Sequence, residues 1–154
     1  MNNHFHLLVQ APGDNLSEAM QSFMGSTSRD IQRLTGRINQ IWFQRFSRTR
    51  LGSCWYVLNC YKYIYRRPVR AGLVDRVEEY CFSTLPGLIG KRHLFIPVEC
   101  DTILFSSCIE KILFWLNTPS QKEAEESIEH ALQFRDFKLR KINRKPSPWE
   151  SRPI

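Results

Sequence analysis

The sequence predicts an α+β fold, and two patterns carry that prediction. Residues 4–9, His-Phe-His-Leu-Leu-Val, read as a strand. Side chains on a strand alternate between faces, so His4, His6 and Leu8 share one face and Phe5, Leu7 and Val9 form an apolar face suited to packing on helices. Apolar residues at helical spacing form the second pattern: Leu16, Met20, Phe23, Thr27, Ile31 and Leu34 in one run, Leu104 through Leu116 in another.

The elements follow in order. Ala11-Pro12-Gly13-Asp14 makes a turn, Asn15 caps the first helix with Glu18 at the capping-box position, and Gly36 stops it. Residues 37–52 interleave arginines, Arg45 and Arg48 among them, with Trp42, Phe43 and Phe46; this suits phosphates and unstacked bases, and equally a strand or loop with core aromatics and solvated arginines. Ser53 caps a helix from Cys54 to about Tyr65, ended by Arg67-Pro68 because pre-proline residues avoid helical backbone. On that helix Tyr56, Cys60 and Tyr63 share a face, with Trp55, Leu58, Tyr61 and Tyr65 mostly on the others, so Tyr63 need not be a core residue. Pro86, Gly87 and Gly90 mark a loop. The Leu104–Leu116 helix ends before Pro119, and Thr118-Pro119 starts an acidic helix bearing Ala124, Ile128, Ala131 and Leu132. From Arg135 onward the tail is basic and proline-containing, with little fixed structure beyond a first turn expected; it is either solvated or in contact with DNA phosphate.

With 154 residues, 42% of them hydrophobic, the chain can bury the core of one ordinary domain. Lys and Arg outnumber Asp and Glu by 22 to 15, a net charge of +7 that favours a polyanionic partner without requiring one. Five cysteines lack C-x-x-C spacing, which points to reduced thiols in a cytoplasmic protein. No apolar run approaches the length of a membrane span, so no membrane partner is expected.

Two neutral imidazoles on one strand face can hold a single divalent cation, although core or surface histidines explain an isolated His-x-His as well. Neighbouring segments sharpen the reading. Met1 to Val9 resembles the M-P-N-H-V-H-L-L-V strand of REP-associated tyrosine transposases, single-tyrosine HUH enzymes of bacterial insertion sequences. Tyr63 to Val74 is similar to that family's Y-I-x-x-N-P-V-R-A-G-L-V, and Glu79 to Thr84 to its D-Y-P-W-S-S. The three segments occur in family order over residues 1–85, and no specific motif lies beyond residue 90.

The resemblance implies a ferredoxin-like antiparallel sheet with packed helices over residues 1–90, a helical extension over 91–134 and the basic tail over 135–154. It implies His4 and His6 as ligands of Mg²⁺ or Mn²⁺, Tyr63 as nucleophile, single-stranded or hairpin DNA as substrate, and a monomer or homodimer. Tyr56, Tyr61 and Tyr65 compete with Tyr63 on residue type alone, and only Tyr63 coincides with the family position. Arg66, Arg67 and Arg70 cluster just beyond it and, with Arg45 and Arg48, are the candidate contacts to DNA phosphate, or else solvated side chains.

Two departures from the family pattern bear on activity. Arg67 stands where the family has asparagine, whose amide the resemblance implies as a further metal ligand; arginine offers no acceptor and repels a cation. The relatives also have a strand, a helix and half of the histidine strand ahead of the first motif, whereas Met1 lies inside it, so the sheet is expected to lack an edge and to expose Phe5, Leu7 and Val9 unless another chain or a rearranged helix covers them. The expected function is therefore metal-dependent, tyrosine-mediated cleavage and rejoining of single-stranded DNA, with a catalytically inactive DNA-binding remnant as the alternative. A structural zinc site is a weaker third reading, without a C-x-x-C partner to support it.

Overall fold

The computed structural model describes residues 4–94, 96, 98, 103–105, 108–139 and 141. Its elements are α1 (Leu16–Thr35), α2 (Cys54–Arg70), a 3-10 turn (Val77–Glu79), α3 (Leu85–Leu88), α4 (Ile109–Asn117) and α5 (Lys122–Ala131). The described residues group into two units, one drawn from Met1–Leu7 and Thr49–Ile154, the other from Leu8–Arg48.

The expected ferredoxin-like antiparallel sheet is not there. Among the described residues no strand forms, and the sole strand-like pairing is an isolated parallel bridge between Arg50 and Asp136. Alternation decides which side chains would share a face, but a strand exists only through a ladder with a neighbour, and the described residues supply none. The face assigned to helix packing is accordingly open, with Phe5 38%, Leu7 52% and Val9 53% exposed. The α+β expectation fails on the same ground: the architecture is helical.

In the smaller unit α1 runs over the residues its apolar spacing predicts. Gly36 ends it in the left-handed region at φ 68°, with its N–H on the Gln32 carbonyl. The Asn15 side chain makes no cap hydrogen bond; its backbone at φ −94° and ψ 16° lies outside the extended region from which a cap reaches back. After α1 the chain is irregular through Arg48, and the Trp42 indole donates to the Met24 carbonyl at 3.0 Å.

In the larger unit Ser53 caps α2 as expected, its hydroxyl accepting from the Tyr56 N–H. The helix then passes through Pro68 and stops only at Arg70, beyond the predicted end. Proline forfeits one helical hydrogen bond near the last turn, while its ring is buried there. Termination is set instead by Gly72 at φ 66°, with Leu73 N–H on the Pro68 carbonyl and Gly72 N–H on the Val69 carbonyl, each at 3.0 Å. These two bonds make a Schellman stop, so the Pro-Val-Arg-Ala-Gly-Leu segment is a helix terminus.

Helix α2 packs on α4, α5 and the 3-10 turn. Leu58 and Tyr65 enter a core with Val77, Leu85, Leu104, Ile112, Trp115 and Leu116. Cys60 enters a second core with Ile128, Ala131, Phe137 and Leu139. Burial pushes the Cys60 thiol up to about 12, and no described cysteine forms a disulfide. The expected loop at Pro86 and Gly87 is the short α3, where proline sits in a first turn that needs no N–H from it. Thr118 does not cap α5: its hydroxyl bonds back to the Phe114 carbonyl at 2.7 Å, and Gln121 takes the cap position. The tail is more ordered at its start than expected. The Arg50 N–H donates to the Arg135 carbonyl and the Phe137 N–H to the Arg50 carbonyl, and Phe137 and Leu139 are buried; residues 140 and 142–154 lie outside the described residues. None of the described helices is long and apolar enough to cross a membrane.

A buried carboxylate joins the 3-10 turn to α4. Asn117 accepts from the Val77 N–H at 3.1 Å and donates to Glu78 at 2.9 Å, and Arg76 donates to the other Glu78 oxygen at 2.7 Å. Burial alone raises the Glu78 pKa, but the bonds from Asn117 and Arg76 outweigh it and leave the group below 4.5.

Two outcomes follow from these contacts. A group whose pKa is depressed by folding contributes stability above its unfolded value and loses it as pH falls through the folded one. Chemical denaturation of the wild type should therefore show stability falling as pH drops below 4.5, and Glu78→Gln should flatten that dependence; equal slopes would show that Glu78 is not the linked group. Gly72→Ala places a Cβ in the left-handed region and should cost about 1 kcal/mol of unfolding free energy in the same assay.

Candidate functional site

The register of α2 places Tyr56, Cys60, Tyr63 and Arg67 along one side, since residues three and four apart are neighbours on a helix. Tyr63 lies against the second core and is half-buried, so it is neither a fully buried core residue nor a free surface one. The aromatic ring of Tyr63 meets His6 edge-on with centroids 5.8 Å apart, and His6 meets His4 the same way at 5.2 Å. The Arg67 guanidinium lies over the Tyr63 ring at 5.5 Å. The two histidines and the tyrosine singled out by sequence are thus brought together, with Arg67 beside them.

Electrostatics set the protonation of this group. His6 is shifted below 6.5 by burial first, then by His4 and Arg67, so it is neutral at pH 7. Its Nε2 is buried and has no hydrogen-bond partner among the described residues. Tyr63 is shifted above 10.0 because burial outweighs the opposing pull of Arg67 and Arg70, so the phenol keeps its proton.

The predicted cationic surface beyond Tyr63 is largely committed elsewhere. Arg66 is only 7% exposed and donates to the Leu116 and Asn117 carbonyls at 3.0 and 2.7 Å, closing the end of α4. Arg67 and Arg70 both reach Glu129 of α5, at 3.2 and 2.9 Å, and Arg70 also pairs with Glu125 at 3.2 Å. Arg45 and Arg48 are exposed and belong to the other unit. Glu125 and Glu129 escape the sequence reading; their spacing one turn apart on an acidic helix signals a carboxylate face, but not which side chains it meets.

No group of three or more His, Cys, Asp or Glu side chains suited to a metal occurs among the described residues. The imidazole pair nevertheless fits a divalent cation as donor chemistry: the rings are adjacent, His6 is neutral, and its buried Nε2 has no other partner. Arg67 works against such an ion through its fixed charge. Compared with models of known families, with curated proteins and with solved structures, the chain matches none of them.

Arg67→Asn removes that charge and supplies a carbonyl oxygen, both favourable to a hard divalent ion. Calorimetric titration of Mn²⁺ should show affinity rising about tenfold or more over the wild type, as expected for deleting a like charge whose field already reaches His6. His4→Ala should abolish the heat in both backgrounds. Equal affinity in the two proteins would mean that Arg67 does not oppose a cation at the histidines.

Proposed function

We propose that the chain is a transposase-like protein that cuts and rejoins single-stranded hairpin or palindromic DNA, with Tyr63 as nucleophile and His4 and His6 as the ligands of Mg²⁺ or Mn²⁺. The observation that carries this reading is the convergence of the three rings, at 5.2 and 5.8 Å, from segments far apart in the sequence. The resemblance of the flanking motifs adds the substrate class.

In the proposed reaction the Tyr63 oxygen bonds to phosphorus as the bond from phosphorus to the 3′ oxygen breaks. The phenol's proton is lost and the departing 3′ oxygen takes one up, leaving a 5′-phosphotyrosine and a free 3′ hydroxyl. The covalent link conserves the phosphodiester's energy, so reversal onto another 3′ hydroxyl rejoins strands without a nucleotide cofactor. His4 and His6 would hold the divalent cation, which would supply polarisation of the phosphate and stabilisation of its developing charge. Tyr63 needs that help because burial holds its proton, and Arg67 adds positive charge where the phosphate lies against the ring.

A second reading, DNA binding without cleavage, is favoured by that same Arg67, which opposes the cation while leaving attraction for phosphate intact. A labelled hairpin oligonucleotide incubated with the protein and Mn²⁺ distinguishes the two. Cleavage predicts an SDS-resistant adduct that disappears in Tyr63→Phe, while binding alone predicts a salt-sensitive gel shift and no adduct. An adduct that persists in Tyr63→Phe rules out this nucleophile, and absence of both signals rules out both readings.

A further inference from the structure

On the other flank of Tyr63, between α2 and the turn joining α4 to α5, lies a surface cavity of about 210 Å³ whose charged and aromatic lining comes from Lys62, Tyr63, Arg66, Arg70, Trp115 and Glu125. Its charges do not balance. Glu125 is in contact with Arg70 and acts on Lys62 and Arg66 only at longer range, so neither of these two has a carboxylate in ion-pair contact among the described residues. The Lys62 ammonium sits over the Trp115 ring at 5.1 Å. Arg66 is more than nine-tenths buried; its NH1 holds the two carbonyls at the end of α4, and its Nε is buried with no partner among the described residues. A buried guanidinium with no counterion in contact is costly, and a second cation facing the same cavity adds to that cost.

We propose that this cavity is an anion site that takes a phosphate group, with Lys62 as its principal ligand and Arg66 as the fixed charge behind it. A phosphate accepts from the free Lys62 donors, and its charge offsets both cations in one step. Trp115 and the apolar side chains around it keep the amine partly dry, which strengthens each charge contact inside. The state of Lys62 agrees with a missing counterion. Burial first, then Arg66, bring its pKa down to about 8 against the opposing effect of Glu125. The inference stands apart from cleavage, because neither His4, His6 nor the Tyr63 hydroxyl is needed to hold the anion.

Lys62 itself reports on the site. Near pH 8 its amine is half deprotonated, so acylation followed by mass spectrometry should label it ahead of the exposed Lys111 and Lys122. Added inorganic phosphate should slow Lys62 labelling by about tenfold once it reaches about ten times its dissociation constant, and leave Lys111 and Lys122 unchanged. Protection by a 5′-phosphorylated oligonucleotide but not its 5′-hydroxyl counterpart would assign a terminal phosphate; equal protection by both would assign the DNA backbone; protection by inorganic phosphate alone would assign a free anion. Calorimetric phosphate binding should be lost in Lys62→Gln and kept in Lys62→Arg. Equal slowing by chloride at matched ionic strength, or no slowing by any of the three probes, would overturn the site. None of these signals depends on adduct formation, so failure here is separable from failure of the cleavage reading.

Discussion

Helix α2 has to satisfy two cores at once. Leu58 and Tyr65 commit one side of it to α4 and the 3-10 turn, while Cys60, with Tyr56 and Tyr63 packed alongside, commits another to α5 and the start of the tail. Rotating the helix would expose one set to seat the other, so the register is settled by packing on both flanks. That register sends Tyr63 toward His6, Arg66 under the end of α4 and Arg67 between the tyrosine and α5. The candidate site therefore inherits its geometry from apolar burial, and the polar groups occupy positions that the cores leave to them.

What could be read from the sequence divides along the range of the interactions involved. The span of α1, its Gly36 stop and the Ser53 cap of α2 depend on neighbours within a turn, and each appears where composition and spacing put it. The end of α2 differs from the sequence expectation because the pre-proline rule weighs a local penalty, whereas Pro68 is buried and a Schellman closure at Gly72 ends the helix. Thr118 departs from expectation for a similar reason: a threonine before proline suits a cap, but its hydroxyl is spent on the helix behind it. The sheet is the largest difference, since a six-residue alternation says nothing about whether a partner strand exists.

At the site, the histidines and Tyr63 were legible as a set through the flanking motifs, and their rings do adjoin. The fate of the arginines was not. Arg66 looks in sequence like any cation of a basic cluster, yet it closes a helix some fifty residues downstream. Nothing local to residues 63–70 announces that Glu125 and Glu129 will face them. Cys60 is buried in the second core on the same helix face as Tyr56 and Tyr63, a face whose burial the helical spacing alone left open.

These ion pairs do not amount to a barrier against nucleic acid. Arg67 and Arg70 are partly exposed, and such pairs contribute about 1 kcal/mol or less, because the attraction is screened and two long side chains lose freedom in forming them. A phosphate that approaches Tyr63 meets two guanidiniums already oriented by α5, and exchanging one carboxylate for another anion changes little in their solvation. Arg66 differs in kind: its burial prevents any such exchange, and its charge can be felt only through the cavity it lines. The positive charge around Tyr63 thus divides into a pair of exchangeable contacts on the α5 side and a fixed field on the Lys62 side. Under the proposed function, a DNA strand crossing the tyrosine would meet both.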